Sequence, residues 1–212
     1  MPLEKIFIIG NAFGWSTIVL ALAFPSAKVV ALDAGIEGED NMVGIDLTNQ
    51  IAKNEGLNVI VEYGYSPYDI PRVAEKYFGN NFSFDLIFID GLHTNEQLLN
   101  DFFSVNEFCN SRTIFIYHDI INWKMEYAFN QIKKVLSETH DSFILWRTTS
   151  GMGVSCPKIL NSEAKRIFYY FTEKDEYIKR LQYLMTIEVR LRAVVAKILP
   201  RFIKNIIKRL VK

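Results

Sequence analysis

Cysteine is nearly missing from the 212-residue chain: Cys109 and Cys156 stand 47 positions apart with no CxxC pair. Neither a thiolate zinc site nor a disulfide framework is expected, and a reducing compartment is the default. Six prolines and eleven glycines are too few for a disordered or fibrous chain. No stretch reaches the roughly 20 apolar residues that a membrane-spanning helix needs. Residues 5–25 have the outline of a secretory signal, but Gly10, Asn11 and Gly14 break the apolar stretch. The chain beyond them continues one regular pattern, so a cytoplasmic protein is expected.

Excess charge is also missing, with 24 basic residues against 24 acidic ones. The balance hides a split. From Arg190 to Lys212 there are eight basic residues and no acidic one, which leaves residues 1–189 with 16 basic groups against 24 acidic. The chain therefore reads as an acidic body with a basic tail.

Half of the residues are hydrophobic, and 212 residues suffice for one ordinary core. Short apolar runs at residues 5–9, 28–32, 58–62, 84–89 and 113–117 alternate with helical patterns at 17–24, 48–54, 70–78, 95–108 and 125–137. Residues 142–147 and 152–156 read as a closing hairpin around Ser150-Gly151. This alternation predicts an α/β, Rossmann-like, doubly wound fold: a mostly parallel seven-stranded sheet with helices on both faces. Residues 1–157 would form that domain. Residues 158–212 would form a C-terminal helical extension, with apolar positions at helical spacing and a basic amphipathic end beyond Pro200.

The segment Gly10-Asn11-Ala12-Phe13-Gly14 lies between the first strand and its helix. Backbone N–H groups and a helix N-terminus make such a turn a place for a polar or anionic ligand. The dinucleotide pattern GxGxxG would require glycine at position 15, which is Trp15, too bulky for close helix–strand packing. The GxGxG pattern is met at Gly10 and Gly14, with small Ala12 between them. Asp33, ending the second strand, is placed to accept hydrogen bonds from both ribose hydroxyls of an adenosine-containing ligand.

More specific are two apolar strands that end abruptly in polar residues, FDLIFIDGLH (84–93) and IYHD (116–119). Carboxyl ends of neighbouring parallel strands face one crevice, so Asp90, His93, His118 and Asp119 should converge near the glycine turn. His93 is a candidate general base, with Asp90 beside it, and Asp90 with Asp119 is a candidate pair for a hard cation such as Mg²⁺. His140, in the polar turn Thr139-His140-Asp141, is expected to be solvated. Asp101, on the helix after His93, is expected to face solvent or cap, with orienting a neighbouring site residue as the alternative. Tyr63, Tyr65, Trp123 and Trp146 are candidates for aromatic walls.

With these residues in hand, the stretch from Ile6 to about Val154 resembles the class I S-adenosylmethionine-dependent methyltransferases. IIGNAFGWST, VVALDAG, VEYGYSP, FDLIFIDGLHTNEQLLNDF, IFIYHDI and SGMGV carry the likeness, which is nearest the small-molecule and sugar O-methyltransferase branch with its IDG-x-H and downstream HD. The resemblance implies that Gly10, Asn11, Ala12, Gly14, Asp33, Ser66 and Asp90 contact S-adenosylmethionine. It also implies that Asp90 and Asp119 occupy metal positions and His93 that of a base. The sequence departs from the family pattern at Ala12, at Tyr65 where an acid usually stands, at Leu92, and at His118 where a carboxylate is frequent. Imidazole in that place is a poor ligand for Mg²⁺.

The expected acceptor is a hydroxyl on a small molecule or sugar-containing compound, and no nucleic-acid partner is expected. The C-terminal helices would provide a peripheral membrane contact or a homo-oligomer interface. The competing function is a catalytically degenerate methyltransferase fold that serves as a binding or scaffolding module.

Overall fold

A computed structural model of the chain describes residues 2–36, 41–174, 180, 183 and 184. The basic tail and its membrane, oligomer and helical expectations lie outside the described residues. The elements run β1 (Lys5–Ile9), α1 (Trp15–Ala23), β2 (Lys28–Asp33), α2 (Asn41–Asn54), β3 (Val59–Tyr63), α3 (Ile70–Phe78), β4 (Leu86–Ile89), α4 (Asn95–Asn106), β5 (Ile114–Tyr117), α5 (Glu126–Val135), β6 (His140–Leu145), β7 (Met152–Pro157) and α6 (Ser162–Thr172). Among the described residues, no helix is long and apolar enough to cross a membrane.

The seven strands form one sheet in the order β3-β2-β1-β4-β5-β7-β6. The first five are parallel, while β7 runs antiparallel to both β5 and β6. The sheet is therefore mixed, its parallel part closed on one side by the hairpin expected around Ser150-Gly151. Alternation along the central strands sends successive side chains to opposite faces. Phe7, Ile9, Ile87 and Ile89 pack with the apolar faces of α3, α4 and α5. Ile6, Ile8, Leu86 and Phe88 pack on the other side with Ala21 of α1 and Ile45 and Ala52 of α2. Both layers being covered explains why these strands read as continuous apolar runs rather than alternating ones.

Local chemistry sets the helix starts. Thr94 caps α4, its Oγ1 accepting from the Gln97 N–H at 3.1 Å, and Pro71 occupies the first turn of α3, where its missing N–H costs nothing. One boundary differs from expectation: α2 begins at Asn41, seven residues before Thr48. The extra turns contain Gly44, where a Cβ would stand 2.1 Å from the Ala12 carbonyl oxygen. The helix accepts a poor helix former there because it lies directly against the glycine turn. At the far edge, α6 docks on β6 through Phe143, whose ring lies 5.9 Å from that of Phe168 and 5.2 Å from that of Tyr169. A Lys165–Asp141 ion pair of 2.7 Å adds to this contact.

Candidate active site

Strand order reverses between β1 and β4, so the loops leaving their carboxyl ends diverge and open a crevice. A cavity of about 480 Å³ occupies it, lined from the ends of β1, β2, β4 and β5 and from the loop after β3. Gly10, Ala12, Asp33, Ser66, Asp90, His93 and Asp119 all line this cavity. Asn11 and Gly14 do not.

Steric demands shape the glycine turn. Gly10 has φ 89°, and a Cβ there would sit 2.0 Å from the Asp90 carbonyl oxygen. Gly14 has φ 84°, and its Cβ would meet Thr48 Oγ1 at 2.1 Å. The turn is tied to Asp33, whose Oδ2 accepts from the N–H groups of Asn11 at 2.6 Å and Ala12 at 2.9 Å, while Oδ1 accepts from Gly35 N–H at 2.7 Å. A carboxylate offers about four acceptor positions. Three are taken, which leaves room for about one ribose hydroxyl rather than the expected two.

Two sequence expectations change here. Asn11, only 5% exposed, turns away from the cavity: its Nδ2 donates to the Ala12 carbonyl and to Thr48 Oγ1, and its Oδ1 accepts from Thr17. It braces the turn against α1 and α2. Trp15 is 82% exposed, so its bulk does not enter the helix–strand contact on which the exclusion of a dinucleotide pattern relied.

Across the cavity, the expected cluster is present. His93 Nε2 lies 3.1 Å from Asp90 Oδ1 and 3.5 Å from Asp119 Oδ2; His118 Nδ1 lies 3.0 and 3.6 Å from the same two atoms. Trp123 stacks on the His93 ring with centroids 5.5 Å apart and planes 10° apart, fixing that imidazole. Asp119 holds a positive φ of 56°, a strain that non-glycine residues show mainly where surrounding structure imposes it. Burial pushes the Asp90 carboxyl up, but His118 and His93 outweigh it and hold the group below the usual carboxylate range. Burial likewise lowers the His118 imidazole, yet Asp119 and Asp90 lift it to about 10. His118 Nδ1 is buried between the two carboxylates and held by these ion pairs.

Mg²⁺ prefers oxygen ligands in near-ideal octahedral geometry. The cluster does not fit that preference. Among the described residues, the group of three whose ligand atoms all fall within 4.8 Å of one another is Asp90, His93 and His118, with Asp119 Oδ2 3.5 and 3.6 Å from the two nitrogens. Nitrogen supplies two of its three atoms.

The other end of the cavity holds residues that sequence reasoning misplaced. Asp101 is only 1% exposed and lines the cavity. Ser66 Oγ and Gln97 Nε2 both donate to its Oδ1, the latter at 2.7 Å. Among the described residues no cation pairs with it. Burial, against those two hydrogen bonds, pushes its carboxyl up to about 6. Only the i, i+3, i+4 spacing of Leu98, Asp101 and Phe102 hinted that Asp101 faces inward with them. Elsewhere His140 is buried, its Nε2 2.8 Å from the Thr113 carbonyl, and is not solvated as expected. Of the aromatic candidates, Tyr65 lines the cavity and Trp123 supports His93, while Tyr63 is exposed and meets Tyr65 edge-on. Trp146 lines a separate depression beside Phe143 and Tyr169.

Residues 7–120, more than half of the chain, match the model of a family described as a methyltransferase domain. No curated protein matches the sequence. Among solved structures, a Staphylococcus aureus protein assigned as a caffeoyl-CoA O-methyltransferase is similar at TM-score 0.55 and 16% identity, over 73% of this chain and 76% of that one. The MycE methyltransferase of the mycinamycin pathway, solved with Mg, SAH and mycinamycin VI, is similar at TM-score 0.51 and 12% identity, over 73% of this chain and 45% of that one. A fibrillarin/Nop5p complex is similar at TM-score 0.51 and 14% identity, over 74% and 73%. At these identities the likeness is one of fold.

Proposed function

The chain belongs to the methyltransferase-domain family that its residues 7–120 match, and from that premise we propose that it moves the methyl group of S-adenosylmethionine to a hydroxyl of a small-molecule or sugar-containing acceptor. One observation carries the reading. A single cavity joins the Gly10–Ala12 turn and Asp33 to the Asp90 and His93 side chains, so a nucleoside-bearing donor and a hydroxyl-bearing acceptor fit end to end. The names of the O-methyltransferase neighbour and of the SAH-bound neighbour support it.

In this reading the acceptor oxygen attacks the sulfonium methyl carbon in line. The carbon–sulfur bond breaks with its electron pair going to sulfur, and adenosylhomocysteine leaves. The chain contributes alignment and exclusion of water. Asp33 and the backbone of Gly10 and Ala12 line the nucleoside end, Ser66 lines the cavity beside Asp101, and the acceptor's proton is drawn off at the Asp90–His93 pair. No step is routed through Mg²⁺, which the cluster does not suit.

The test is a screen of candidate glycosides and phenols with wild type, Asp90→Ala and His93→Ala, following adenosylhomocysteine release. Wild type should turn over at least one hydroxyl acceptor. Each variant should lose about 100-fold or more in rate, the usual contribution of a positioned proton-transfer group, and His93→Ala should keep donor binding. A wild type that binds no donor at all would favour the scaffolding module instead.

A further inference from the structure

Resting on the proposed function only for the identity of the donor, we infer that Asp101 selects the cationic donor, S-adenosylmethionine, over its neutral thioether product by holding an unbalanced carboxylate at the cavity wall. Four carboxyl groups line the cavity, those of Asp33, Asp90, Asp101 and Asp119, and among the described residues no lysine or arginine does. Three of the four are answered within the fold. Asp33 accepts three backbone N–H groups. Asp90 and Asp119 each lie within 3.6 Å of both His93 and His118.

Asp101 differs. Its two hydrogen-bond donors, Ser66 and Gln97, are neutral and both meet the same oxygen, Oδ1. Among the described residues no hydrogen bond reaches Oδ2, which stands so near the Gly91 backbone that a Cβ there would be 3.0 Å away. The residue is 1% exposed, so bulk water does not replace the missing partner. A buried carboxylate without a counter-charge is costly, and a cation entering the cavity would relieve that cost.

The carboxyl is also held in place. Gln97, Asp101 and Ser104 fall at i, i+4 and i+7 on α4 and share one stripe of the helix. All three bind the loop after β3: Gln97 Nε2 donates to the Ser66 carbonyl at 3.1 Å, Asp101 accepts from Ser66 Oγ, and Ser104 Oγ donates to the Pro67 carbonyl at 3.3 Å. Asp101 is thus fixed between that loop and the Asp90–His93 segment, where both the donor and the acceptor ends of the cavity feel its charge.

S-adenosylmethionine carries a sulfonium, and its product carries a neutral sulfur in the same skeleton. At an effective dielectric constant of about 20, unit charges within about 10 Å of each other shift an equilibrium about 10-fold or more. Methyl transfer removes the positive charge that Asp101 balances, so the same carboxylate favours release of the product. The other titratable groups on the cavity are Asp33, Tyr65, Asp90, His93, His118 and Asp119. Beyond the β3 loop, Asp69 is engaged by Arg72 and the Tyr65 N–H.

The experiment titrates the full 212-residue chain with S-adenosylmethionine and with S-adenosylhomocysteine by calorimetry at pH 7.0 and 5.0, where the amino group of both ligands is largely protonated. At pH 7.0 the ratio of donor to product affinity should fall ~10-fold or more in Asp101→Asn, with product affinity within ~3-fold of wild type. A merely structural role would move both ligands alike. In wild type the ratio should also fall ~5-fold between pH 7.0 and 5.0, as the Asp101 carboxyl, pushed up to about 6 by burial, takes up its proton. The remaining groups are common to both proteins, and their share is read in the variant and subtracted. Circular dichroism checks that the variant folds, and the wild-type pH series decides alone if it does not. An equal ratio in wild type and folded variant, or a wild-type ratio unchanged between the two pH values, overturns the role of Asp101 alone. Wild type that binds neither ligand defeats the methyltransferase reading and this role with it.

Discussion

Replacing Asp101 with asparagine should change how the stability of the protein depends on pH. In the fold this carboxyl is raised from 3.8 to about 6, chiefly by burial, so the native state binds its proton more tightly than the unfolded chain does. A raised carboxyl adds nothing unfavourable below the unfolded value. It removes stability as pH climbs from about 4 through 6, because the native state must then bury a charge. The full loss corresponds to about 3 kcal/mol, and the part falling between pH 4.5 and 7.5 is about 2 kcal/mol.

Asparagine keeps an oxygen for the Ser66 and Gln97 donors but cannot ionise. Urea denaturation of both proteins at pH 4.5, 6.0 and 7.5 should therefore show the stability difference moving by about 2 kcal/mol in favour of the variant as pH rises. Other titrating groups are common to both proteins and cancel. Parallel pH profiles would refute the reasoning, since Asp101 would then titrate alike in both states.

Gly10→Ala should abolish donor binding and lower stability by about 2 kcal/mol or more, because a Cβ at φ 89° would stand 2.0 Å from the Asp90 carbonyl oxygen; calorimetry and thermal melting read the two effects. Phe84→Ala removes a ring that is 1% exposed and lies 5.0, 5.1 and 5.3 Å from those of Phe82, Phe7 and Phe78. It should cost about 3–5 kcal/mol in chemical denaturation.

Much of this architecture is legible in the chain because its carriers are local. Apolar runs such as Ile6–Ile9 and Leu86–Ile89 announce buried strands, and the polar residues that end them announce the crevice, since parallel strands place their carboxyl ends together. The parts that are not legible depend on partners distant in sequence. Asp101 and His140 are polar residues whose burial is made tolerable by Ser66 and Gln97 in one case and by the Thr113 carbonyl in the other. No local pattern encodes those pairings. The early start of α2 is hidden for a related reason: Gly44 reads as a break, and only its contact with Ala12 explains why a helix runs through it. Asn11 reads as a ligand contact because it sits in the turn, whereas Thr17 and Thr48 draw its side chain to the opposite side. The presence of His118 in place of a carboxylate is visible in the chain, but its meaning requires the distances to Asp90 and His93.

Whether the crevice holds a methyl donor beside Asp90 and His93 is decided by titrating S-adenosylhomocysteine into the full chain by calorimetry. One site per chain is expected, with a dissociation constant well below ~1 mM, equivalent to more than about 4 kcal/mol of binding, and the binding should be lost in Gly10→Ala. Heat no greater than dilution at ~1 mM ligand, the threshold set by that same energy, would contradict a donor site in this crevice.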